Sequence, residues 1–141
     1  MRSSTGARGS VDRLFLDANV LFSAAYRENN GLLDLWKLPE VKLLSCAYAL
    51  EEARRNLDTA AQGKRLVALA ASLELVEGMA PLKPGSGLPT KDEPILGAAI
   101  AGRATHLITG DFRHFGRFFG RKLEGIMKLP PGAYLRRRPH Q

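Results

Sequence analysis

Short apolar runs, each separated from the next by a segment with helical periodicity, are the feature that most limits how this chain can fold. Leu14-Phe15-Leu16 is the first run. Similar runs follow at Val41 to Leu44, Leu73 to Val76, Leu107 to Thr109 and Ile126 to Leu129. Continuous apolar runs of this length are typical of strands buried on both faces of a parallel sheet. In the intervening segments, apolar residues recur at helical spacing, as in Leu50, Ala53 and Leu57. The pattern predicts an α/β fold with a central, mainly parallel sheet of about five short strands flanked by helices.

The length of 141 residues fits one domain. Residues 1–11 are basic and rich in Ser and Gly, so we expect them to be disordered. We place the folded domain at residues 12–135 and a basic tail at 136–141. The chain has one cysteine, which excludes an intrachain disulfide, and it lacks an apolar run of roughly 18 residues. We therefore expect a cytoplasmic protein without a membrane span.

The net charge of +7 is the first indication of a partner. A basic surface raises the local concentration of polyanions and points to nucleic acid as a partner. Charge alone is equally compatible with a surface that serves only solubility. It also does not distinguish an enzyme from a binding module.

Acidic residues fall where the predicted strands and helices begin or end. Asp17 follows the first apolar run and Asp111 follows the fourth. Asp92 opens the helix that leads into the fourth run, and the pair Glu51-Glu52 lies in the helix after the second. Ligands of open α/β sheets bind at the carboxyl ends of the strands, where these acids can converge.

Each acid also has a purely structural explanation. Asp17 and Asp92 can be helix N-caps, Asp111 can form a turn, and the two glutamates can lie on a solvated helix face. A converged cluster would instead bind a hard divalent cation, Mg²⁺ or Mn²⁺, because these ions prefer oxygen ligands. An acidic pocket on a basic chain suits the hydrolysis of phosphodiester bonds, since the basic surface holds the polyanionic backbone.

Four blocks of sequence together resemble the PIN-domain nucleases, a family that includes the VapC-type toxins of toxin–antitoxin modules. They contain Asp-x-Asn after a strand, a helical glutamate, Asp-x-x-Ile-Leu and Thr-Gly-Asp. The blocks are Leu16 to Leu21, Ser45 to Glu52 with Arg55-Asn56-Leu57, Lys91 to Leu96, and Ala104 to Asp111. The likeness extends over Arg13 to Leu135. It implies a central parallel sheet and metal-dependent phosphodiester hydrolysis, usually of RNA.

The resemblance implies roles for the four acidic positions. Asp17, Asp92 and Asp111 match the metal-binding aspartates of the family. The family's glutamate matches the pair Glu51-Glu52, and helical spacing does not choose between the two. We prefer Glu52, because the family's acid is usually followed by an apolar residue, here an alanine, and we keep Glu51 as the alternative.

The resemblance also implies supporting and substrate-binding residues. Asn19 and Thr109 match polar positions that support the acids by hydrogen bonds. Arg113 and His114 are expected to contact phosphate, although exposed loop residues are an equal alternative. The predicted function is that of a Mg²⁺- or Mn²⁺-dependent endoribonuclease. Its expected partners are RNA and, if the protein is the toxin of a toxin–antitoxin pair, an antitoxin.

Two alternatives stay open at this level. The first is a PIN-like module that binds nucleic acid or protein with little or no catalysis, and metal dependence separates it from the enzyme. The second concerns four phenylalanines after the last acid. We expect them to be core residues or part of a homodimer interface, with base stacking as the alternative. They are Phe112, Phe115, Phe118 and Phe119.

Overall fold

A computed structural model describes residues 11–81, 93–111 and 119–137. Within these ranges it contains a six-stranded sheet flanked by helices. The strands are β1 Asp12–Leu16, β2 Val41–Ser45, β3 Glu74–Leu75, β4 His106–Ile108, β5 Lys122–Leu123 and β6 Ile126–Leu129. The helices are α1 Ala18–Tyr26, α2 Ala47–Asn56, α3 Ala60–Ala70, α4 Glu93–Ala101 and α5 Pro131–Arg137, together with a 3₁₀ helix at Gly31–Lys37.

The strand order across the sheet is β3-β2-β1-β4-β6-β5. The first five strands in this order are parallel, and β5 pairs antiparallel with β6. The predicted α/β class and the mainly parallel central sheet are therefore confirmed. Each predicted apolar run contributes a strand, although Leu73 to Val76 forms only the two residues of β3.

The edge strand β5 was not predicted from the sequence. A two-residue turn joins it to β6, and both turn residues, Glu124 and Gly125, have positive φ values of 56° and 81°. Consecutive positive φ values define the type I′ turn, which matches the twist of a hairpin. Glutamate is an unusual residue for the first of these positions, so the turn lacks the Asn-Gly or Asp-Gly signature that would have predicted it.

The central strand β1 explains why the apolar runs are continuous rather than alternating. Leu14, Phe15 and Leu16 are all fully buried. Because neighbours and helices cover a central parallel strand on both faces, every position along it packs into the core. The pairing register aligns the ends of β1 and β4, since Leu16 pairs with Ile108. Asp17 and Thr109, the residues that follow β1 and β4, therefore lie next to each other at the same edge of the sheet.

Helix α3 supports the C-terminal end of α1. Two of its side chains donate hydrogen bonds to backbone carbonyls in the last turn of α1. Arg65 Nε donates to the Ala25 carbonyl at 2.9 Å, and Gln62 Nε2 donates to the Tyr26 carbonyl at 3.2 Å. The last carbonyls of a helix lack partners within the helix, so these bonds stabilise its C-terminal end. Helix α1 is thereby held at the end opposite Asp17.

The C-terminal helix α5 extends into the segment that was expected to be a tail, since it includes Arg136 and Arg137. Pro131 occupies the first helical position, where its missing N–H costs nothing. Tyr134 is buried and anchors the helix to the sheet. The N-terminal segment up to residue 10 and residues 138–141 lie outside the described residues. In the described part of the chain, no helix has the length and apolar character needed to cross a membrane.

Candidate functional site

A pocket of about 390 Å³ opens where β1 and β4 end. Three acids line it, and each comes from a different segment: Asp17 from the start of α1, Glu52 from α2, and Asp111 from the turn after β4. The complete lining is Asp17, Ala18, Asn19, Phe22, Glu52, Asn56, Ile95 and Asp111. The parallel sheet thus brings together acids that are far apart in the sequence.

Asp17 is held firmly at the base of this pocket. It is only 6% exposed and is the N-cap of α1, with Oδ1 accepting from the Ala18 N–H at 2.7 Å. Its Oδ2 accepts from the Thr109 hydroxyl at 2.8 Å and from Asn19 Nδ2 at 3.3 Å. A buried carboxylate is costly unless hydrogen bonds compensate it, and these three donors do so. The capping role and a place in the pocket are therefore not alternatives, because Asp17 has both.

Thr109 and Asn19 connect the two strand ends. The Thr109 hydroxyl, which is fully buried, donates to Asp17 and accepts from Asn19 Nδ2 at 3.2 Å and from the Asp111 N–H at 3.1 Å. A hydroxyl has one donor and two acceptor sites, so these contacts use its full capacity. Asn19 Oδ1 in turn accepts from the Gly110 N–H at 2.8 Å. The network fixes the backbone that presents Asp111 to the pocket.

The two glutamates of α2 lie in different places. Glu52 lines the pocket, whereas Glu51 is exposed and forms an ion pair with Arg54. The hydrogen bond from that arginine lowers the pKa of the Glu51 carboxyl. Glu51 also lines a separate groove between α2 and α3. Consecutive helical residues are about 100° apart, so only one of the two can face α1. The structure places Glu52 there.

Three predicted site residues lie outside the described part of the chain: Asp92, Arg113 and His114. The described chain resumes at Glu93, the first residue of α4, and Ile95 from the first turn of that helix lines the pocket. The assignments of the three residues stay predictions.

Phe22, Asn56 and Ile95 line the pocket and were not singled out from the sequence. Helical spacing could have found two of them. Phe22 follows Asn19 by three residues and Asn56 follows Glu52 by four, and residues at these separations are neighbours on one helix face. Choosing them required knowing which faces of α1 and α2 meet.

The donor chemistry of the pocket suits a hard divalent cation. Asp17, Glu52 and Asp111 offer carboxylate oxygens, the ligands that Mg²⁺ and Mn²⁺ prefer. Over residues 11–81, 93–111 and 119–137, no group of three or more His, Cys, Asp or Glu side chains is arranged to hold a metal ion. The three acids match the ion in donor chemistry and line one pocket, but they are not spaced as a metal-binding group in the described part of the chain. The fourth predicted acid, Asp92, lies outside the described residues.

Fold and pocket together define a class: a parallel α/β domain with acids gathered at the carboxyl edge of its sheet. A sequence model of the PIN domain matches residues 13–113. The chain therefore belongs to the PIN-domain family, as the four sequence blocks predicted, and proteins of this family are typically nucleases.

One solved structure provides a comparison of fold. It is the crystal structure of VapBC2 from Rickettsia felis bound to a DNA fragment from their promoter. The match has a TM-score of 0.60 and 14% sequence identity, and covers 84% of this chain and 98% of that chain. At this identity the comparison shows a shared fold. No curated protein sequence matches the chain.

Proposed function

We propose that this PIN-domain protein is a metal-dependent endoribonuclease that hydrolyses RNA phosphodiester bonds in the cytoplasm. The observation that carries the proposal is the shared pocket of Asp17, Glu52 and Asp111, three acids from three segments. Buried hydrogen bonds orient the first of them. A structural N-cap alone would not require two further carboxylates at the same pocket. The net charge of +7 supports an RNA substrate, because the backbone of RNA is a polyanion.

Asp17, Glu52 and Asp111 would hold Mg²⁺ or Mn²⁺, with Asp92 as the fourth acid. A bound ion of this kind lowers the pKa of a coordinated water and stabilises charge on the scissile phosphate. Thr109 and Asn19 keep the Asp17 carboxylate in one orientation by donating to its Oδ2. Glu52, on a different helix, orients the attacking water or contributes to a second ion. Arg113 and His114 would contact phosphate.

The similarity in fold to VapBC2 supports a further part of the proposal, that the protein is the toxin of a toxin–antitoxin pair. An antitoxin protein would then be its inhibitory partner. A second copy of the chain is the other candidate protein partner. Co-expression with the product of the neighbouring reading frame tests this part, because an antitoxin would co-purify with the protein and suppress its activity.

Cleavage of a mixed pool of structured RNA tests the enzymatic proposal. Wild type and Asp111→Asn would be compared in Mn²⁺, in Mg²⁺ and in EDTA, after stringent removal of host nucleases. We expect cleavage that needs the metal and that the substitution abolishes. Equal activity of the two proteins would contradict the site. Salt-sensitive RNA binding without cleavage would instead favour a binding module.

A further inference from the structure

One side of the acidic pocket is neutral and partly apolar. Ala18, Phe22 and Ile95 contribute carbon surface, and Asn56 contributes an uncharged amide. The carbon groups neither bind a hard cation nor act as a base for water, and a neutral amide is a weaker cation ligand than the three carboxylates. A surface of this composition beside three carboxylates matches a nucleotide, whose charged phosphate is joined to a flat, largely apolar base.

Phe22 has the position of a stacking surface. It lies on α1 one turn after Asn19, which belongs to the hydrogen-bond network of Asp17, and one helical turn advances about 5.4 Å along the axis. The ring is half-buried, packs against the core, and contacts the ring of Tyr26 at 5.3 Å between centroids with a 39° tilt. A ring held on one side loses little freedom when a base stacks on it.

Asn56 adds hydrogen-bonding groups at the same pocket. It is the last residue of α2, one turn after Glu52, and its Nδ2 donates to the Glu52 carbonyl at 3.0 Å. This bond uses one of the two amide hydrogens. Among the residues that the structure describes, no donor reaches Asn56 Oδ1. The amide therefore presents one donor and one acceptor, the pattern with which asparagine recognises the edge of a base.

We infer that Phe22 and Asn56 bind the nucleobase next to the scissile phosphate, Phe22 by stacking and Asn56 by hydrogen bonds to the base edge. The inference rests on the proposed ribonuclease function and deepens it. The substrate at this position must be single-stranded, because a base in a duplex cannot leave its stack without unpairing. Removal of the base would therefore lower cleavage, because the stacking contact with Phe22 is lost. The hydrogen bonds of Asn56 would distinguish among the four bases.

Abasic RNA tests the inference once the wild-type cleavage site has been mapped. We would measure kcat/KM on a short single-stranded RNA and on the same RNA lacking the base on either side of the cleaved bond. Stacking on an aromatic ring predicts a loss of about 5- to 150-fold at one of these positions. Phe22→Leu is expected to lower cleavage of intact RNA by a similar factor and to lose much less than wild type when the base is removed, because only the Asn56 contact then remains to be lost.

Matched variants separate stacking from folding. Phe22→Tyr keeps the ring and is expected to keep the loss on abasic RNA. Val67→Ala, at an exposed position of α3 outside the pocket, is expected to behave as wild type. Asn56→Ala is expected to change the order of preference among the four bases without changing the rate on abasic RNA. A Phe22→Leu enzyme that still suffers the full abasic loss, or a wild type that suffers none, would overturn the inference.

Photocrosslinking tests the same contact without turnover. Single-stranded RNA carrying 5-iodouridine would be irradiated with Asp111→Asn, and the crosslinked peptide identified by mass spectrometry. We expect a crosslink at Phe22 that disappears in Asp111→Asn/Phe22→Leu. Crosslinks found only elsewhere would overturn the inference even if metal-dependent cleavage is established. If cleavage fails while the Phe22 crosslink forms, the proposed catalysis is wrong and the base site stands.

Discussion

The Thr109 hydroxyl donates a 2.8 Å hydrogen bond to Oδ2 of Asp17, a residue 92 positions earlier in the chain. Thr109 is fully buried and Asp17 is 6% exposed, so water does not compete for this bond. The carboxylate of Asp17 therefore has an orientation determined by β4 as well as by its own helix. This dependence makes Thr109 a positioning residue for the pocket.

Thr109→Val removes the hydroxyl with little change of shape. The loss leaves Asp17, Asn19 and the Asp111 N–H each without one hydrogen bond, which we expect to lower the free energy of unfolding by about 1–3 kcal/mol. Groups that orient metal ligands also affect metal affinity, so the Mn²⁺ concentration for half-maximal RNA cleavage should rise about 10- to 100-fold. Denaturant unfolding and a Mn²⁺ titration measure the two effects. Thr109→Ser, which keeps the hydroxyl, should restore the Mn²⁺ requirement; an unchanged requirement in the valine variant would contradict the positioning role.

The adjacent glutamates of α2 provide a matched pair. Glu52→Gln removes a charge that lines the pocket, so cleavage should fall by about 100-fold or more. Glu51→Gln removes an exposed charge whose partner is Arg54, and its cleavage rate should stay within about twofold of wild type. Initial rates on one RNA, with thermal melts to check folding, measure both. Similar rates for the two variants would contradict the assignment of the reaction to Glu52 rather than to Glu51.

The same pair shows what the sequence could and could not establish. Apolar runs and helical periods are local properties, so they predicted the five parallel strands and the edge at which Asp17 and Asp111 meet. Which of Glu51 and Glu52 faces the pocket depends on how α2 is rotated about its own axis relative to α1. The two helices make contact only through the tertiary fold, and no local pattern contains that rotation.

Phe22 illustrates the same limit. From the sequence, base stacking was considered only for the phenylalanines after Asp111, because they cluster. Phe22 has ordinary helical spacing and looks like any core residue of α1, and the core does contact it. Its place in the pocket depends on α2 packing alongside α1. Thr109 and Asn19 were predicted only from the family resemblance, because a single polar residue near an acid forms no recognisable sequence pattern.

Tyr134 ties the C-terminal helix to the start of β1 and provides a test of stability away from the pocket. Its hydroxyl donates to Oδ2 of Asp12, and its ring is steeply inclined to the His106 ring, with 5.1 Å between the ring centroids and 75° between the planes. Tyr134→Phe keeps the ring and removes the bond to a carboxylate, so the free energy of unfolding should fall by about 1–3 kcal/mol. RNA cleavage should not change. Arg136→Gln, at an exposed position of the same helix, is the control and should alter neither quantity in urea unfolding.

Lys128 is a buried cation with a measurable signature in the pH dependence of stability. It lies on β6, is fully buried, and its Nζ donates to the Ile126 carbonyl at 2.8 Å. Burial lowers the pKa of Lys128 from 10.5 to about 7, partly opposed by the charge of Glu124. Between these two values the unfolded chain binds a proton that the folded chain does not. Stability therefore rises with pH across this window, by up to about 1.4 kcal/mol per pH unit.

Lys128→Met keeps the length of the side chain and removes the titrating group. The free energy of unfolding of wild type minus that of the variant should accordingly be level below about pH 7 and should increase from pH 7 toward pH 10. Urea unfolding at pH 6, 7, 8, 9 and 10 measures this difference. Lys122→Met, at an exposed position of β5, is the control, and its difference from wild type should stay level over the same range. A level difference for Lys128→Met as well would mean that Lys128 stays protonated in the folded chain.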